Sequence, residues 1–275
     1  MCLLRSLLAS IVIGYAAHAQ QPSQPVPPAT PATPVDDPHA VQPERPTVAT
    51  HAGTVAPGWL EIETGIERDR FSPAAVGYVT PTVLKVGVVD HVQLSIVGSV
   101  AHPAPGITGL GDLAVGLKVR LLDNAAFIGD FAILPAVKLP VGSAASGTGT
   151  GTTDVSVLAI SSHDFGGISV DANVGYTRRS GDGSTVPIHA TLWTISAGAP
   201  VIGPLGWTVE CYGYPGMGGP TGQAPIVALL GGPTFLARSW LAFDVGVIMP
   251  VAGPQPRALY AGAVYNVGKL WGARD

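Results

Sequence analysis

Charged side chains are scarce in this sequence. Asp, Glu, Lys and Arg make up 12% of the 275 residues, against roughly 25% in a typical soluble domain. A soluble protein with so few charges would have difficulty covering its surface, whereas the lipid-facing surface of a membrane protein needs none. The formal net charge is −4, and the sequence has no basic patch with interleaved aromatic residues. This pattern argues against a nucleic-acid partner.

Cysteine is nearly absent, since Cys2 and Cys211 are the only occurrences. Cys2 lies in a pattern typical of an export signal, with Arg5, an apolar core over residues 7–15 and a small-x-small cleavage site at residues 17–19. That core is too short to span a bilayer as a helix. We therefore expect residues 1–19 to be a cleaved signal peptide. Cys211 then has no partner for an intramolecular disulfide.

Uninterrupted apolar runs long enough for transmembrane helices are also missing. Residues 184–209 and 211–237 contain no charged side chain, and each is long enough to span a bilayer. Proline removes a backbone donor and breaks helices. The prolines that interrupt these two stretches are Pro187, Pro200, Pro204, Pro215, Pro220, Pro225 and Pro233. A bundle of transmembrane helices is therefore disfavoured.

Short segments in which apolar and polar residues alternate dominate residues 59–271. Leu113, Val115 and Leu117 lie on one face of one such segment, and Lys118 lies on the other. A period of two residues is that of a β-strand with one apolar and one polar face. Repeated segments of this kind, joined in turn by short turns and longer Gly/Pro-rich loops, are typical of a bacterial outer-membrane barrel.

We therefore predict an all-β fold, a transmembrane antiparallel up-and-down β-barrel of about 12 strands with long external loops and short periplasmic turns. It would lie in the outer membrane of a Gram-negative-type bacterium, with both termini periplasmic. Tryptophans near strand ends on the periplasmic side would form an aromatic girdle. These are Trp59, Trp207, Trp240 and Trp271.

The predicted chain has three parts. Residues 1–19 are the signal peptide and residues 55–275 the outer-membrane barrel. Between them, residues 20–54 are rich in Pro, Ala, Gln and Thr and almost free of large apolar side chains. We expect this part to be a disordered periplasmic segment.

Several connections and strands are less regular. We expect a longer connection over residues 71–78, and flexible external loops at residues 102–111 and 142–153. Pro135 and Pro233 fall inside predicted strands, where a missing N–H costs a ladder hydrogen bond, so they mark bulges or misplaced strand boundaries. Alternation is weak after Pro225, because residues 226–230 are apolar throughout.

The inward face predicted from the alternation carries charges of both signs. Ionisable groups at membrane depth are tolerated when they are paired or wet. The interior is therefore either a polar pore lining or a paired polar core that stiffens a closed barrel. The candidate lumen-lining residues are Glu61, Glu63, Lys85, Asp112, Lys118, Arg120, Asp130, Lys138, Asp171, Glu210 and Asp244.

Catalytic and metal-binding patterns are weak. Ser162, His163 and Asp164 include the residue types of a catalytic triad, but adjacent residues in a tight turn cannot adopt its geometry. His189 is a better candidate base, yet no nucleophile is identifiable beside it. The spacing of the His, Cys and carboxylate residues does not match a metal site. We predict no catalytic residue, cofactor or metal.

Several Gly-rich runs resemble a known family. Residues 109–118 contain Gly-Leu-Gly-Asp-Leu followed by Gly-Leu-Lys, residues 135–143 read Pro-Ala-Val-Lys-Leu-Pro-Val-Gly-Ser, and residues 265–268 read Tyr-Asn-Val-Gly. Over about residues 45–271 the sequence resembles the MetA-pathway phenol-degradation family of outer-membrane barrels. The resemblance implies a barrel that moves small hydrophobic or aromatic compounds, and it supplies no catalytic residues.

From the alternation and the resemblance together we expect passive transfer of small apolar or aromatic solutes. The expected partners are those solutes, outer-membrane lipid and the barrel-assembly machinery. A closed, non-transporting barrel is the main alternative, with a structural or adhesive role carried by the external loops. A lipid-modifying outer-membrane enzyme that uses His189 is a weaker one.

Overall fold

The computed structural model describes residues 37–182, 187–215 and 225–271. The predicted signal peptide lies outside these residues. Thirteen strands occur in the described part, and they are β1 Trp59–Ser72, β2 Ala75–Val89, β3 Val92–His102, β4 Gly109–Leu110, β5 Leu113–Ala125, β6 Gly129–Leu139, β7 Asp154–Asp164, β8 Ser169–Arg179, β9 His189–Ile202, β10 Leu205–Tyr214, β11 Ile226–Arg238, β12 Leu241–Ala252 and β13 Arg257–Lys269. Among these residues, no helix is long and apolar enough to cross a membrane.

The long strands close into one antiparallel barrel. Each pairs with its neighbour in sequence, and β1 completes the ring, since Glu63 lies opposite Val83 of β2 and opposite Val264 of β13. The two-residue β4 adds to the end of β3, which then pairs with β5. Apart from β4, twelve strands form the wall. The predicted barrel is confirmed.

Alternation separates an apolar exterior from a polar interior. On β5, Lys118 is fully buried while its neighbour Leu117 is 41% exposed. The same exposure of large apolar residues recurs on other strands, for example at Val209 of β10 and Val245 of β12. Such an exterior suits lipid and not water.

Short connections lie mainly at one end of the barrel, which we call the turn end. Those of β2–β3, β5–β6, β7–β8, β9–β10 and β11–β12 lie there, and the longer ones lie at the opposite, loop end. The predicted long connection over residues 71–78 is wrong, because β1 and β2 are joined by Pro73 and Ala74 alone. Residues 75–79 continue the ladder with β1 instead.

Prolines within strands coincide with interruptions of the ladder on one side. The β5–β6 pairing passes from Gly116–Ala136 to Val119–Ile133 and so omits Pro135. The β11–β12 ladder likewise omits Pro233, between the pairs at Gly231 and Thr234. A residue without an N–H is tolerated where the ladder is already open, so the strand assignments stand.

Residues 37–57, which we call the internal segment, run inside the barrel before β1 begins. The segment enters at the turn end, where the Val41 N–H donates to the Ser239 carbonyl at 2.7 Å. It reaches Glu210 at its middle and returns to the turn end beside Gly87, whose carbonyl accepts from Gly58 N–H at 2.7 Å. Both ends of the segment therefore lie at the same end of the barrel.

The prediction of a disordered periplasmic segment is wrong for residues 37–54. Ala49, Thr50 and Ala52 are fully buried. Composition misled the prediction, because a segment without large apolar residues cannot build a core of its own. Its burial depends on wall residues that are distant in sequence, such as Asn173, which bonds Thr50. Residues 20–36 lie outside the described part.

Candidate functional site

Carboxylates of the barrel wall accept hydrogen bonds from the backbone of the internal segment. Glu61 accepts from the N–H of Gln42 at 2.7 Å, and Glu63 accepts from the N–H of Glu44 at 2.7 Å. Glu210 accepts two, from Val48 at 2.8 Å and from Ala49 at 2.7 Å. A buried N–H needs a partner, and here inward side chains replace the neighbouring strand that an extended chain lacks.

Neutral side chains continue this pattern beyond Glu210. Asn173 bonds Thr50 on both sides, accepting from its N–H at 2.6 Å and donating to its carbonyl at 2.9 Å. Ser162 Oγ accepts from the Ala52 N–H at 2.8 Å. The segment is thus bonded to the wall along most of its length.

Two wall lysines hold the acidic part of the interior together. Lys118 contacts the Glu44 carboxylate and donates to the carbonyls of His51 at 3.0 Å and Gly53 at 2.8 Å. Lys85 lies 2.6 Å from Glu61 and also contacts Glu63. Both lysine side chains have no exposed surface. Removing one partner of such a buried pair leaves an uncompensated charge.

Glu44, which belongs to the segment and not to a strand, is buried beside donors of the barrel wall. Its carboxylate contacts Lys118 and accepts a hydrogen bond from the Gln93 amide at 3.2 Å. Donors of this kind satisfy a buried carboxylate.

Arg45 of the internal segment lies against two glycines of the wall, Gly65 and Gly262. Its guanidinium lies 3.5 Å from Asp244, and both side chains are nearly inaccessible. A Cβ at Gly65 or at Gly262 would overlap the guanidinium. A side chain at either position would force the guanidinium to shift, so glycine permits this close approach.

We expect Gly262→Ala to displace Arg45 and loosen the internal segment, since an added atom in a filled site costs about 1–3 kcal/mol. Endoproteinase Glu-C should then cut after Glu44 in the folded barrel, faster than in the parent protein. Ala261→Val is the matched control, because Ala261 faces outward on the same strand. Equal cleavage of both variants would contradict this placement of Arg45.

Glu210→Gln should also weaken the seating of the segment, because an amide cannot accept both N–H bonds with the same pair of charged oxygens. Losing a charge-assisted bond to a buried group costs about 1–3 kcal/mol, so the amides of Val48 and Ala49 should exchange with deuterium about fivefold or more faster in the folded variant. Asp130→Asn is the control, since Asp130 pairs with Arg120 near the turn end. Unchanged exchange in Glu210→Gln would show that this carboxylate does not hold the segment.

All of the predicted lumen residues have inward side chains. Those that are buried are Glu61, Glu63, Lys85, Asp112, Lys118, Lys138, Asp171, Glu210 and Asp244. Arg120 and Asp130 are half-buried, with 3.6 Å between them. Sequence reasoning placed these side chains on one face, but it did not foresee that six of them would contact the internal segment. These are Glu61, Glu63, Lys85, Lys118, Glu210 and Asp244.

The loop at residues 140–153 folds onto the inner face at the loop end. Asp112 accepts hydrogen bonds from the N–H groups of Gly142 at 3.1 Å and Thr150 at 3.0 Å. Lys138 lies 2.7 Å from Asp112 and 3.2 Å from Asp154. The prediction of a flexible external loop over residues 142–153 is wrong, because small Gly and Thr residues let the backbone reach these charges.

We expect Asp112→Asn to release this loop, because Lys138 loses its closest partner and one charge-assisted acceptor becomes neutral. Proteinase K should then cleave within residues 142–153 of the folded barrel. Asp123→Asn, near the turn end, is the control and should leave the loop intact. Resistance of the Asp112 variant would show that the loop is held by other contacts.

Above the charged region, part of the inner wall is apolar. Val48, at the middle of the internal segment, packs against a cluster of inward side chains. The cluster contains Tyr212, Tyr214, Ile226, Ala228, Leu230, Ile248, Ala258 and Tyr260. Residues 226–230 are therefore apolar on both faces, outward for lipid and inward for this wall. The loss of apolar–polar alternation over residues 226–230 is the feature of the sequence that indicates an apolar interior here.

The barrel also contains open space. A cavity of about 790 Å³ lies at the turn end, lined by wall residues such as Arg120, Asp130 and Asp171 and by His51 and Val55 of the internal segment. This space lies between the internal segment and the wall.

The candidate catalytic residues do not form an active site. Ser162 bonds Ala52 and Asp171 on the inner face, whereas His163 stacks on Phe165 and bonds the Phe127 carbonyl outside. The exposed His189 pairs with the Tyr176 hydroxyl at 2.7 Å. Within the described residues, no group of three or more His, Cys, Asp or Glu side chains could hold a metal ion.

Comparison with known proteins identifies the family. The family model described as "Putative MetA-pathway of phenol degradation" matches residues 44–252. The chain belongs to this family. No protein of curated function matches the sequence.

The solved structures that are similar to this chain include outer-membrane proteins. The COG4313 outer membrane channel from Pseudomonas putida F1 is similar with a TM-score of 0.56 at 12% identity, over 78% of this chain and 97% of that one. The KdgM porin matches with a TM-score of 0.48 at 10% identity, over 74% and 98%. The translocator domain of the autotransporter NalP from Neisseria meningitidis has a TM-score of 0.43 at 10% identity, over 78% and 89%. The first of these supports an outer-membrane barrel with a channel-like fold.

Proposed function

We propose that the protein is an outer-membrane channel for small apolar or aromatic compounds, closed at rest by its internal segment. The observation that carries the proposal is the apolar inner wall around Val48. A water-filled porin has a polar interior, whereas Ile226, Leu230 and Ile248 offer an inward surface that suits an apolar solute. Family membership is consistent with this substrate class.

The contacts of the internal segment fit a removable closure. Its bonds to the wall are polar and non-covalent, from Gln42 to Val55. Its two ends lie at the turn end, so it can withdraw there without threading through the barrel. In this proposal the turn end and both termini face the periplasm, as short turns do in bacterial barrels.

A closed structural barrel is the second candidate. The filled interior favours it, because buried pairs such as Lys118–Glu44 and Lys85–Glu61 can stiffen a barrel that conducts nothing. The two candidates differ in what happens when the segment is removed.

Deleting residues 37–54 should open the channel. In liposomes, the folded deletion variant should take up a phenolic solute faster than the full-length protein, and faster than a charged sugar of similar size, since the apolar wall is then exposed to the lumen. Empty vesicles and heat-modifiability of each barrel are the controls. If the folded deletion variant passes neither solute, the structural candidate replaces the channel.

A further inference from the structure

A small cavity lies beside Val48, on the loop-end side of the internal segment. Its volume is about 80 Å³. Leu134, Leu158 and Leu192 line it on the apolar side, together with Tyr214. It is separate from the larger cavity at the turn end, whose lining does not include these residues.

Charged groups line the other end of this cavity. They are Lys138, Asp154 and Arg179, so cationic side chains outnumber anionic ones among the lining residues. Lys138 is already occupied by Asp112 at 2.7 Å, by Asp154 at 3.2 Å and by Thr150.

Arg179 is less completely satisfied. Its side chain is 5% exposed, and its Nη1 donates to the Pro187 carbonyl at 3.0 Å. Its Nε lies 3.7 Å from Asp154 and makes no hydrogen bond. Asp154 therefore balances the charge of Arg179 but does not accept a hydrogen bond from Nε. A buried guanidinium donor without a hydrogen-bond acceptor is costly, and an oxyanion is the acceptor it would bind most strongly.

The size of the cavity decides how a ligand can enter. An apolar cavity of about 150 Å³ accommodates benzene in another protein, so a space of about 80 Å³ is too small for an aromatic ring. Val48 supplies one wall of this space. A ring therefore fits only where the Val48 side chain now lies.

We propose that this site binds a small aromatic oxyanion, such as an arene carboxylate, and that the bound ring replaces Val48. The ring packs on Leu134, Leu158 and Leu192, and the oxyanion accepts a hydrogen bond from Arg179 Nε. Because ligand and Val48 compete for one space, binding favours release of the internal segment. The inference rests on the proposed channel function and names its solute site.

Direct binding tests this without transport. Benzoate is titrated by calorimetry into the full-length protein refolded in detergent, with benzyl alcohol as a neutral compound of similar shape. Val48→Ala should bind benzoate about tenfold more tightly than the parent, since less apolar surface competes for the site. Val48→Phe should fill the site and abolish binding.

Val41→Ala is the matched control. Val41 is also a buried valine of the internal segment, but it packs on Ala242 and Val264 and lines no part of this cavity. Its benzoate affinity should equal that of the parent. A gain as large as that of Val48→Ala would mean that loosening the segment, and not the site beside Val48, sets the affinity, and it would overturn the proposal.

Arg179 variants test the charged end. Arg179→Gln should lose the preference for benzoate over benzyl alcohol, and Arg179→Lys should retain part of it. Equal binding of the two compounds by the parent would overturn the oxyanion assignment. Failure of Val48→Ala to bind benzoate, or binding unchanged in Val48→Phe, would overturn the site itself. A channel without this site would still pass the phenolic solute once residues 37–54 are deleted, so the two failures are distinguishable.

Discussion

Hydrogen bonds from the backbone of the internal segment to inward carboxylates are the interaction on which the closed barrel depends. Burying a carboxylate without partners is costly, and Glu210 is satisfied inside the barrel by the N–H groups of Val48 and Ala49 together with the Thr194 hydroxyl. The same bonds satisfy an extended chain that has no neighbouring strand. The wall carboxylates and the backbone of the segment therefore supply each other's hydrogen-bond partners.

This interaction divides the interior. Toward the turn end the segment is enclosed by charged pairs such as Lys85–Glu61 and Lys118–Glu44. Toward the loop end Val48 faces an apolar wall that includes Ile226 and Leu230, and the loop over residues 140–153 is bonded to Asp112 on the inner face. In a channel with this interior, the internal segment would block ions at rest. Apolar solutes would meet the apolar wall on the loop-end side of the segment.

Local patterns made the wall predictable and long-range contacts did not. Alternation on β1 and β5 identified Glu61, Glu63 and Lys118 as inward, because the two faces of a strand are set by the backbone alone. Turn residues in the sequence also predicted most of the short connections between strands. They did not predict the two-residue connection between β1 and β2.

The interior could not be predicted from composition or period. Residues 37–54 read as disordered because their partners, such as Asn173 and Glu210, lie far away in sequence. Residues 142–153 read as an open loop for the same reason, since Asp112 precedes them by some distance along the chain. The inward glycines at 65 and 262 were a visible signal, but their meaning depends on Arg45, which sequence patterns do not place beside them.

Hydrogen–deuterium exchange of the refolded full-length protein tests the central claim most directly. Amides of residues 48–50 should exchange as slowly as those in β10, because each donates to a buried wall side chain. Exchange of these amides at the rate of an unstructured chain, with the strands still protected, would contradict an internal segment that closes the barrel.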